Sequence, residues 1–135
     1  MYHTISPGMT IEDRKIVTVE DSAAHIGSGS LKVFATPAMV AFVERICRAL
    51  VEPMLPESKT TVGSSIKIKH LAPTPLGAEV HIRAIVEIVD ENVIKFSAQV
   101  WDGIEKVGEA EHTRVVIEID RFLKRVEQKS TTEPN

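Results

Sequence analysis

The sequence predicts an α+β domain in which an antiparallel β-sheet curls around one long central helix. Two observations support this prediction. Residues 34–52 are the only long segment with a helical period, and from residue 60 onward apolar residues recur at every second position. The strands of this second part are joined by short turns, which pair neighbouring strands antiparallel. We expect residues 1–135 to form one such domain, with a disordered tail at 129–135.

Composition and charge are those of an ordinary water-soluble globular domain. Hydrophobic residues make up 43% of the chain and charged residues 26%, and the net charge is −3. This balance gives no electrostatic reason to expect nucleic acid or an anionic membrane surface. The chain begins without a signal-peptide pattern, and its single cysteine, Cys47, allows no intrachain disulfide. We therefore expect a cytoplasmic protein with neither a nucleic-acid nor a membrane partner.

The predicted central helix begins at Thr36-Pro37 and ends before Pro53. A threonine hydroxyl can accept a hydrogen bond from a free backbone N–H at the helix N-cap, and proline fits the first helical position. Apolar residues cover more than half of the helix circumference, which is typical of a helix wrapped by a curved sheet. The apolar arc consists of Met39, Val40, Phe42, Val43, Ile46, Cys47, Ala49, Leu50 and Val51, and the opposite side carries Arg45, Arg48 and Glu52.

Five strands are predicted around this helix. The first precedes it at residues 14–20, where Val17 and Val19 share the face that is expected to be buried. A loop rich in glycine and serine at residues 21–32 is expected to be mobile and leads into the helix. The remaining strands are predicted at residues 60–70, 79–90, 93–101 and 105–120, and an amphipathic segment at 121–127 can form a short terminal helix.

A strand, a loop, a long apolar helix and four antiparallel strands together describe the hotdog fold. Its sheet covers only one side of the helix, so the rest of the broad apolar arc needs another cover. A second copy of the chain, bound through edge strands or through helix packing, is the simplest cover. We therefore expect a homodimer or a dimer of dimers.

His70 points to chemistry more directly than any other residue. It continues the face of Ile66 and Ile68, so its ring is expected to face the core or the helix. It is either a core histidine bonded to a backbone carbonyl or a neutral imidazole that acts as a general base. Thr36 is ambiguous in the same way. Its hydroxyl is either a helix cap or a group that polarises or attacks a carbonyl at the positive end of the helix.

Glu44 lies eight residues after Thr36, about 12 Å further along the helix axis. It is either the i,i+4 ion-pair partner of Arg48 or a functional carboxylate at the rim of the apolar arc. A single His70 is poorly placed to reach both Thr36 and Glu44 within one chain. We therefore predict that these three residues are brought together across a dimer, or that Glu44 acts through a water molecule.

Three other positions have simpler interpretations. Gly63 interrupts a strand, which indicates either a β-bulge or a close approach of a ligand to the backbone. Arg114 shares a strand face with His112, and its simplest interpretation is a solvated charge. Cys47 lies within the apolar arc and is interpreted as a core residue. The five histidines lack metal-ligand spacing, so no metal site is expected.

Four motifs lie along the chain with a specific spacing. They are Phe34-Ala-Thr-Pro-Ala-Met-Val-x-Phe-Val-Glu44, Val62-Gly63-x-x-Ile66-x-Ile68-x-His70-x-Ala72-x-Thr74-Pro75, Trp101-Asp-Gly103 and Gly108-x-Ala-x-His112-x-Arg114. Together they resemble the fluoroacetyl-CoA thioesterase-like branch of the hotdog superfamily over residues 8–128. The resemblance implies that Thr36, Glu44 and His70 are the catalytic residues and that Gly63 and Arg114 contact an acyl-CoA substrate.

The resemblance also implies the activity, which is hydrolysis of a short or medium acyl-CoA to the free acid and CoA. No cofactor is expected beyond the CoA of the substrate. The alternative is a non-catalytic module that binds acyl-CoA or pantetheine, although such a module has no need of a base such as His70. The fluoroacetate-specific enzyme carries phenylalanines in the loop that corresponds to residues 21–33, where this chain has no aromatic residue. We therefore expect an acyl group other than fluoroacetyl.

Overall fold

The computed structural model describes residues 5–130 of the 135-residue chain. Within this range the chain forms five strands and three α-helices. In chain order they are β1 (Thr10–Ile16), α1 (Ala23–Ile26), α2 (Thr36–Val51), β2 (Lys59–His70), β3 (Glu79–Asp90), β4 (Val93–Trp101), β5 (Lys106–Glu118) and α3 (Ile119–Ser130). A short 3₁₀ turn at Val19–Asp21 precedes α1, and a second at Glu52–Met54 follows α2.

The five strands form one antiparallel sheet in the order β1-β3-β4-β5-β2. Strands β1 and β2 are therefore its two edges. In the β2–β5 pair, Gly63 lies opposite Arg114, Ile66 opposite His112, and His70 opposite Gly108. This register places Arg114 and His112 near the middle of β2 and leaves His70 at its far end.

The core lies between α2 and one face of the sheet. Half of the residues of α2 are buried, and they pack against inward-facing residues of β3, β4 and β5. The predicted helix and the α+β class are confirmed, and Pro53 follows within the terminal 3₁₀ turn. The buried residues of α2 are Ala38, Met39, Phe42, Val43, Ile46, Cys47, Leu50 and Val51.

The first strand lies four residues earlier than predicted. It ends at Ile16, and Val19, which was expected to share a buried face with Val17, is 61% exposed. The cause is local, because the Asp21 carboxylate accepts hydrogen bonds from the backbone N–H of Thr18 at 2.9 Å and from its hydroxyl at 3.1 Å. Such a side-chain bond competes with strand pairing and turns the chain into a 3₁₀ helix.

The loop at residues 21–33 contains structure that its glycine and serine content did not predict. The Ser22 hydroxyl accepts the N–H of His25 at the start of α1, and Gly27, with a φ of 90°, ends this helix. Backbone bonds from Ala23 to Val33 and from Ala24 to Leu31, both 3.0 Å, close the loop. The segment is therefore a compact, internally bonded loop directly before α2.

The C-terminal helix α3 is longer than the predicted segment at 121–127. It begins at Ile119, directly after β5, and extends to Ser130. Residues 129 and 130 are thus helical, which corrects the expectation of disorder for that part of the tail, and residues 131–135 lie outside the described range. In the described part of the chain, no helix is long and apolar enough to cross a membrane.

The packing of α2 against the sheet predicts how substitutions change the free energy of unfolding. Ile46 on α2 is 6% exposed, whereas Ile104 in the β4–β5 turn is 90% exposed. We expect Ile46→Ala to lower the free energy of unfolding by about 2–5 kcal/mol, because it leaves a cavity between helix and sheet. The same change at Ile104 should stay within about 0.5 kcal/mol. Urea titration of both variants measures the difference, and equal effects would contradict the described packing.

Candidate active site

Thr36 is the first helical residue of α2, which corrects its prediction as the N-cap. Ala35 takes the N-cap position with φ −81° and ψ 148°, and its carbonyl accepts the N–H of Met39 at 3.0 Å. Backbone bonds from Phe34 to Thr74 and from Ala35 to Asp21, both 2.9 Å, fix where the chain enters the helix. The Thr36 hydroxyl is therefore available for another partner, and its Oγ1 lies 2.8 Å from His70 Nδ1.

His70 ends strand β2 and is half-buried beside the start of α2. The Phe34 ring packs edge-on against the imidazole, with ring centroids 6.2 Å apart at an interplanar angle of 73°. Burial lowers the pKa of His70 below its ordinary value, and the backbone of Ala72 offsets part of this effect. The ring is therefore neutral near pH 7. Its Nε2 atom is buried and has no hydrogen-bond partner among residues 5–130.

A second polar cluster surrounds Arg114, whose interpretation as a solvated charge is wrong. The side chain is 7% exposed. Its Nε donates to Thr61 Oγ1 at 2.8 Å, and its Nη2 donates to the Thr61 carbonyl at 3.1 Å. Its Nη1 lies 3.8 Å from Glu44 Oε2, and the Glu44 side chain is 42% exposed. Burial lowers the pKa of Arg114, whereas the nearby Glu44 raises it, and the guanidinium stays protonated.

The bulge interpretation of Gly63 is confirmed, and the group close to its backbone is a side chain of the same chain. The β2–β5 register shifts between Gly63 and Ser65, so a bulge is present. A Cβ atom at Gly63 would also lie 2.7 Å from Glu44 Oε2 and 3.2 Å from His112 Cε1. The group that approaches the backbone is thus the carboxylate of Glu44. A side chain at position 63 would displace this carboxylate.

Sequence reasoning missed His112 and Thr61 as members of the second cluster. His112 Nδ1 lies 2.8 Å from the Ser65 carbonyl, which can only accept, so Nδ1 carries the proton. His112 Nε2 then accepts a hydrogen bond from Arg114 Nη1 at 3.1 Å. The shared strand face of positions 112 and 114 was a usable signal, since residues i and i+2 of a strand point to the same side.

Two other interpretations of α2 residues are settled by its contacts. Arg48 pairs with Glu52 at 3.3 Å, and Glu44 lies beside Arg114 rather than forming the i,i+4 pair with Arg48. Cys47 is fully buried, and burial raises the pKa of its thiol to about 12. Cys47 is a core residue, as expected, and is not a thiolate at neutral pH.

The structure therefore divides the five predicted site residues between two clusters. Thr36 and His70 meet at the N-terminus of α2. The second cluster contains Glu44, Gly63 and Arg114. Glu44 lies eight residues after Thr36 on α2, which corresponds to about 12 Å along the helix axis. Within one chain Glu44 does not join the Thr36–His70 pair, and each cluster holds only part of the predicted set.

The sequence pattern of the fluoroacetyl-CoA-specific thioesterase family (FlK) matches residues 17–120. The chain belongs to this family. A curated relative, the fluoroacetyl-CoA thioesterase of Streptantibioticus cattleyicolor, is 31% identical over 99 residues, which are 73% of this chain and 71% of the relative. The family match at residues 17–120 includes both polar clusters.

Solved structures confirm the hotdog fold. The fluoroacetyl-CoA thioesterase FlK superposes with a TM-score of 0.87 at 25% identity, covering 96% of this chain and 98% of that one. A substituted variant of that enzyme, solved with fluoroacetate and CoA, superposes with a TM-score of 0.83 at 25% identity and covers 87% of this chain and 99% of its own. A hot-dog-like protein from Thermanaerovibrio acidaminovorans has a TM-score of 0.89 at 24% identity, with 96% of both chains covered, and supports the fold alone.

The lowered pKa values of His70 and His112 predict how the stability of the fold depends on pH. Burial lowers the pKa of both His70 and His112 in the folded chain, so between pH 7 and 5 the unfolded chain binds more protons. The stability that these residues contribute is present above about pH 6.5 and is lost as the pH falls below it. Thermal unfolding measured from pH 7.5 to 5 should show this loss. The double variant His70→Gln/His112→Gln should show a flatter dependence, and an unchanged slope would contradict the assignment.

Proposed function

We propose that this protein is a thioester hydrolase that cleaves a short or medium acyl-CoA to the free acid and CoA. The contact of 2.8 Å between Thr36 Oγ1 and His70 Nδ1 carries the proposal. A hydroxyl beside a neutral imidazole is the arrangement of a nucleophile, or of a water-binding group, with its general base. A thioester carbonyl is reactive enough for such a pair without a metal ion.

The N-terminus of α2 supplies the second requirement, which is stabilisation of negative charge on the carbonyl oxygen. The first backbone N–H groups of a helix have no partner within the helix, and the helix dipole places positive charge there. Thr36 is the first residue of α2 and Pro37, which has no N–H, is the second, so the first donors of this turn are the N–H groups of Thr36 and Ala38. A thioester carbon attacked near Thr36 would place its oxygen close to the N–H groups of this first turn.

Glu44 is proposed to act in the site from a second copy of the chain. If Thr36 donates its proton to His70 Nδ1, the ring proton lies on Nε2, the buried atom that has no partner among residues 5–130. A buried N–H without an acceptor costs about 1–3 kcal/mol. A carboxylate from a second chain, directly or through a water molecule, would satisfy this atom and orient the base.

The edge strand β2 offers a way to bring that carboxylate into place. Both clusters lie along β2, since Gly63 contacts Glu44 and His70 contacts Thr36. An antiparallel pairing of β2 with its own copy, centred on Ile66 and Lys67, would set Gly63 of one chain opposite His70 of the other. Such a homodimer also removes an open sheet edge, and it can pair further into a dimer of dimers.

The second cluster is proposed to bind the acyl-CoA. Arg114 is a buried cation beside the partly exposed Glu44, and Gly63 leaves room for the Glu44 carboxylate at this point. The loop before α2 carries the exposed aliphatic side chains of Ile26 and Leu31 and no aromatic residue. We therefore propose an acyl group larger than fluoroacetyl. The buried free thiol of Cys47 is compatible with the reducing cytoplasm, which stays a prediction.

A panel of acyl-CoA thioesters tests the activity. A thiol reagent detects the released CoA. We expect the highest kcat/KM for acyl-CoA thioesters whose acyl chain is longer than fluoroacetyl. His70→Gln and Thr36→Val should each lower kcat by about a hundredfold or more, because each removes one half of the proton-transfer pair. His81→Gln is the matched control, since His81 pairs with Glu12 away from both clusters.

Absence of turnover on every acyl-CoA combined with measurable binding in calorimetry would reject the hydrolase and favour a non-catalytic acyl-CoA or pantetheine-binding module. Full activity of His70→Gln would instead leave the hydrolase and reject His70 as its base. The Thr36–His70 contact favours the hydrolase, because a binding module does not require a base.

Mixed dimers test whether Glu44 acts across the interface. One chain carries His70→Gln and the other Glu44→Gln, and differently tagged chains are co-expressed and purified as a mixed species. If each site combines residues of both chains, one of the two sites is intact, and about half of the wild-type activity should return. Mixed dimers in which both chains carry His70→Gln serve as the inactive control. An inactive mixed species would show that Glu44 works within its own chain, and a monomeric mass by light scattering would exclude the dimer.

A further inference from the structure

We propose that His112 is a positioning residue for the proposed hydrolysis, because its imidazole holds the Arg114 guanidinium in the orientation that faces Glu44. The inference rests on the proposed function, since Arg114 and Glu44 are the groups assigned there to substrate binding and catalysis. His112 itself is buried and contacts neither Thr36 nor His70 among the described contacts. Its effect on the reaction is therefore exerted through Arg114.

The His112 ring is held by two contacts. Its Nδ1–H donates to the Ser65 carbonyl at 2.8 Å, at the bulge of β2. The Phe96 ring stacks on it with centroids 6.1 Å apart at 27°. In this orientation the lone pair of Nε2 is directed at Arg114 Nη1 at 3.1 Å.

Arg114 has few remaining degrees of freedom once His112 is in place. Two of its N–H groups bind Thr61, one through the hydroxyl and one through the carbonyl. A third binds His112, and the same Nη1 atom lies 3.8 Å from the Glu44 carboxylate. Thr61 alone holds only the Nε and Nη2 side of the guanidinium. His112 supplies the acceptor on the side where Glu44 lies.

The hydrogen bond between His112 and Arg114 requires a neutral imidazole. A proton on Nε2 would place an N–H against the Arg114 N–H and break the bond between them. Burial lowers the pKa of His112, and the charge of Arg114 acts in the same direction, whereas the Ser65 carbonyl and Glu44 oppose it. The charged groups that influence Arg114 are Glu44, Arg48 and Glu52, and the titratable thiol is Cys47, all on or just after α2.

Two amide variants separate positioning from a purely structural role. The amide of glutamine reaches about as far as Nε2, so His112→Gln can keep an acceptor for Arg114. The amide of asparagine reaches about as far as Nδ1, so His112→Asn can keep the donor to Ser65 but loses that acceptor. We expect kcat/KM to fall by about ten- to a hundredfold in His112→Asn and to stay within about threefold in His112→Gln. A role limited to anchoring β2 through Ser65 predicts the opposite order.

An NMR readout tests the inference without relying on turnover. The Arg114 Nε–H signal should shift and exchange faster with solvent in His112→Asn, and it should stay close to wild type in His112→Gln. The matched pair His81→Asn and His81→Gln should leave this signal and the activity unchanged. Equal effects of both amides on Arg114 would overturn the positioning role. Absence of wild-type turnover with the expected Arg114 response would instead reject the proposed function and keep the contact.

Discussion

The packing of α2 against one face of the sheet is the constraint on which the rest of this structure depends. Eight of its sixteen residues are buried, which leaves the helix little freedom to rotate or slide. Thr36 and Glu44 are therefore fixed relative to β2 and β5, although neither belongs to the core. Rotation of the helix by one residue, about 100° in either direction, would replace a buried apolar side chain with Arg45 or Arg48, both of which are exposed. The site geometry is thus a consequence of hydrophobic packing.

A buried cation is the second constraint, and it explains why the polar cluster is so complete. Removing a guanidinium from water costs several kcal/mol unless its N–H groups find acceptors. Arg114 has acceptors in Thr61 and His112, and Glu44 supplies the opposite charge. Glycine at position 63 makes room for the carboxylate. Loss of any one partner would leave a charged donor unsatisfied inside the fold, so the members of this cluster depend on one another.

The spacing of apolar residues predicted the helix and strands whose positions depend on burial. It failed where a side chain forms a hydrogen bond to a specific partner. The helix and four of the strands follow from apolar spacing, and their bounds differ from the structure by only a few residues. Val19 was misplaced because the Asp21 carboxylate turns the chain after β1. The cap interpretation of Thr36 rested on a threonine before proline, which fits that role locally, yet its hydroxyl binds a residue 34 positions away. Long-range contacts of this kind leave no trace in local spacing.

The half-buried His70 and the buried His112 show how one residue type serves two purposes in this fold. Both are neutral near pH 7 because burial disfavours the charged ring. In His112 the carbonyl of Ser65 fixes the proton on Nδ1, and the other nitrogen is occupied by Arg114.

In His70 the partner of Nδ1 is a hydroxyl, which can donate or accept, and Nε2 has no partner among residues 5–130. His70 can take up a proton from the Thr36 hydroxyl on Nδ1, whereas a proton on Nε2 of His112 would break the bond that this atom accepts from the buried Arg114 cation. The hydrogen-bond partners, more than the degree of burial, therefore favour His70 as the base and exclude His112 from that role.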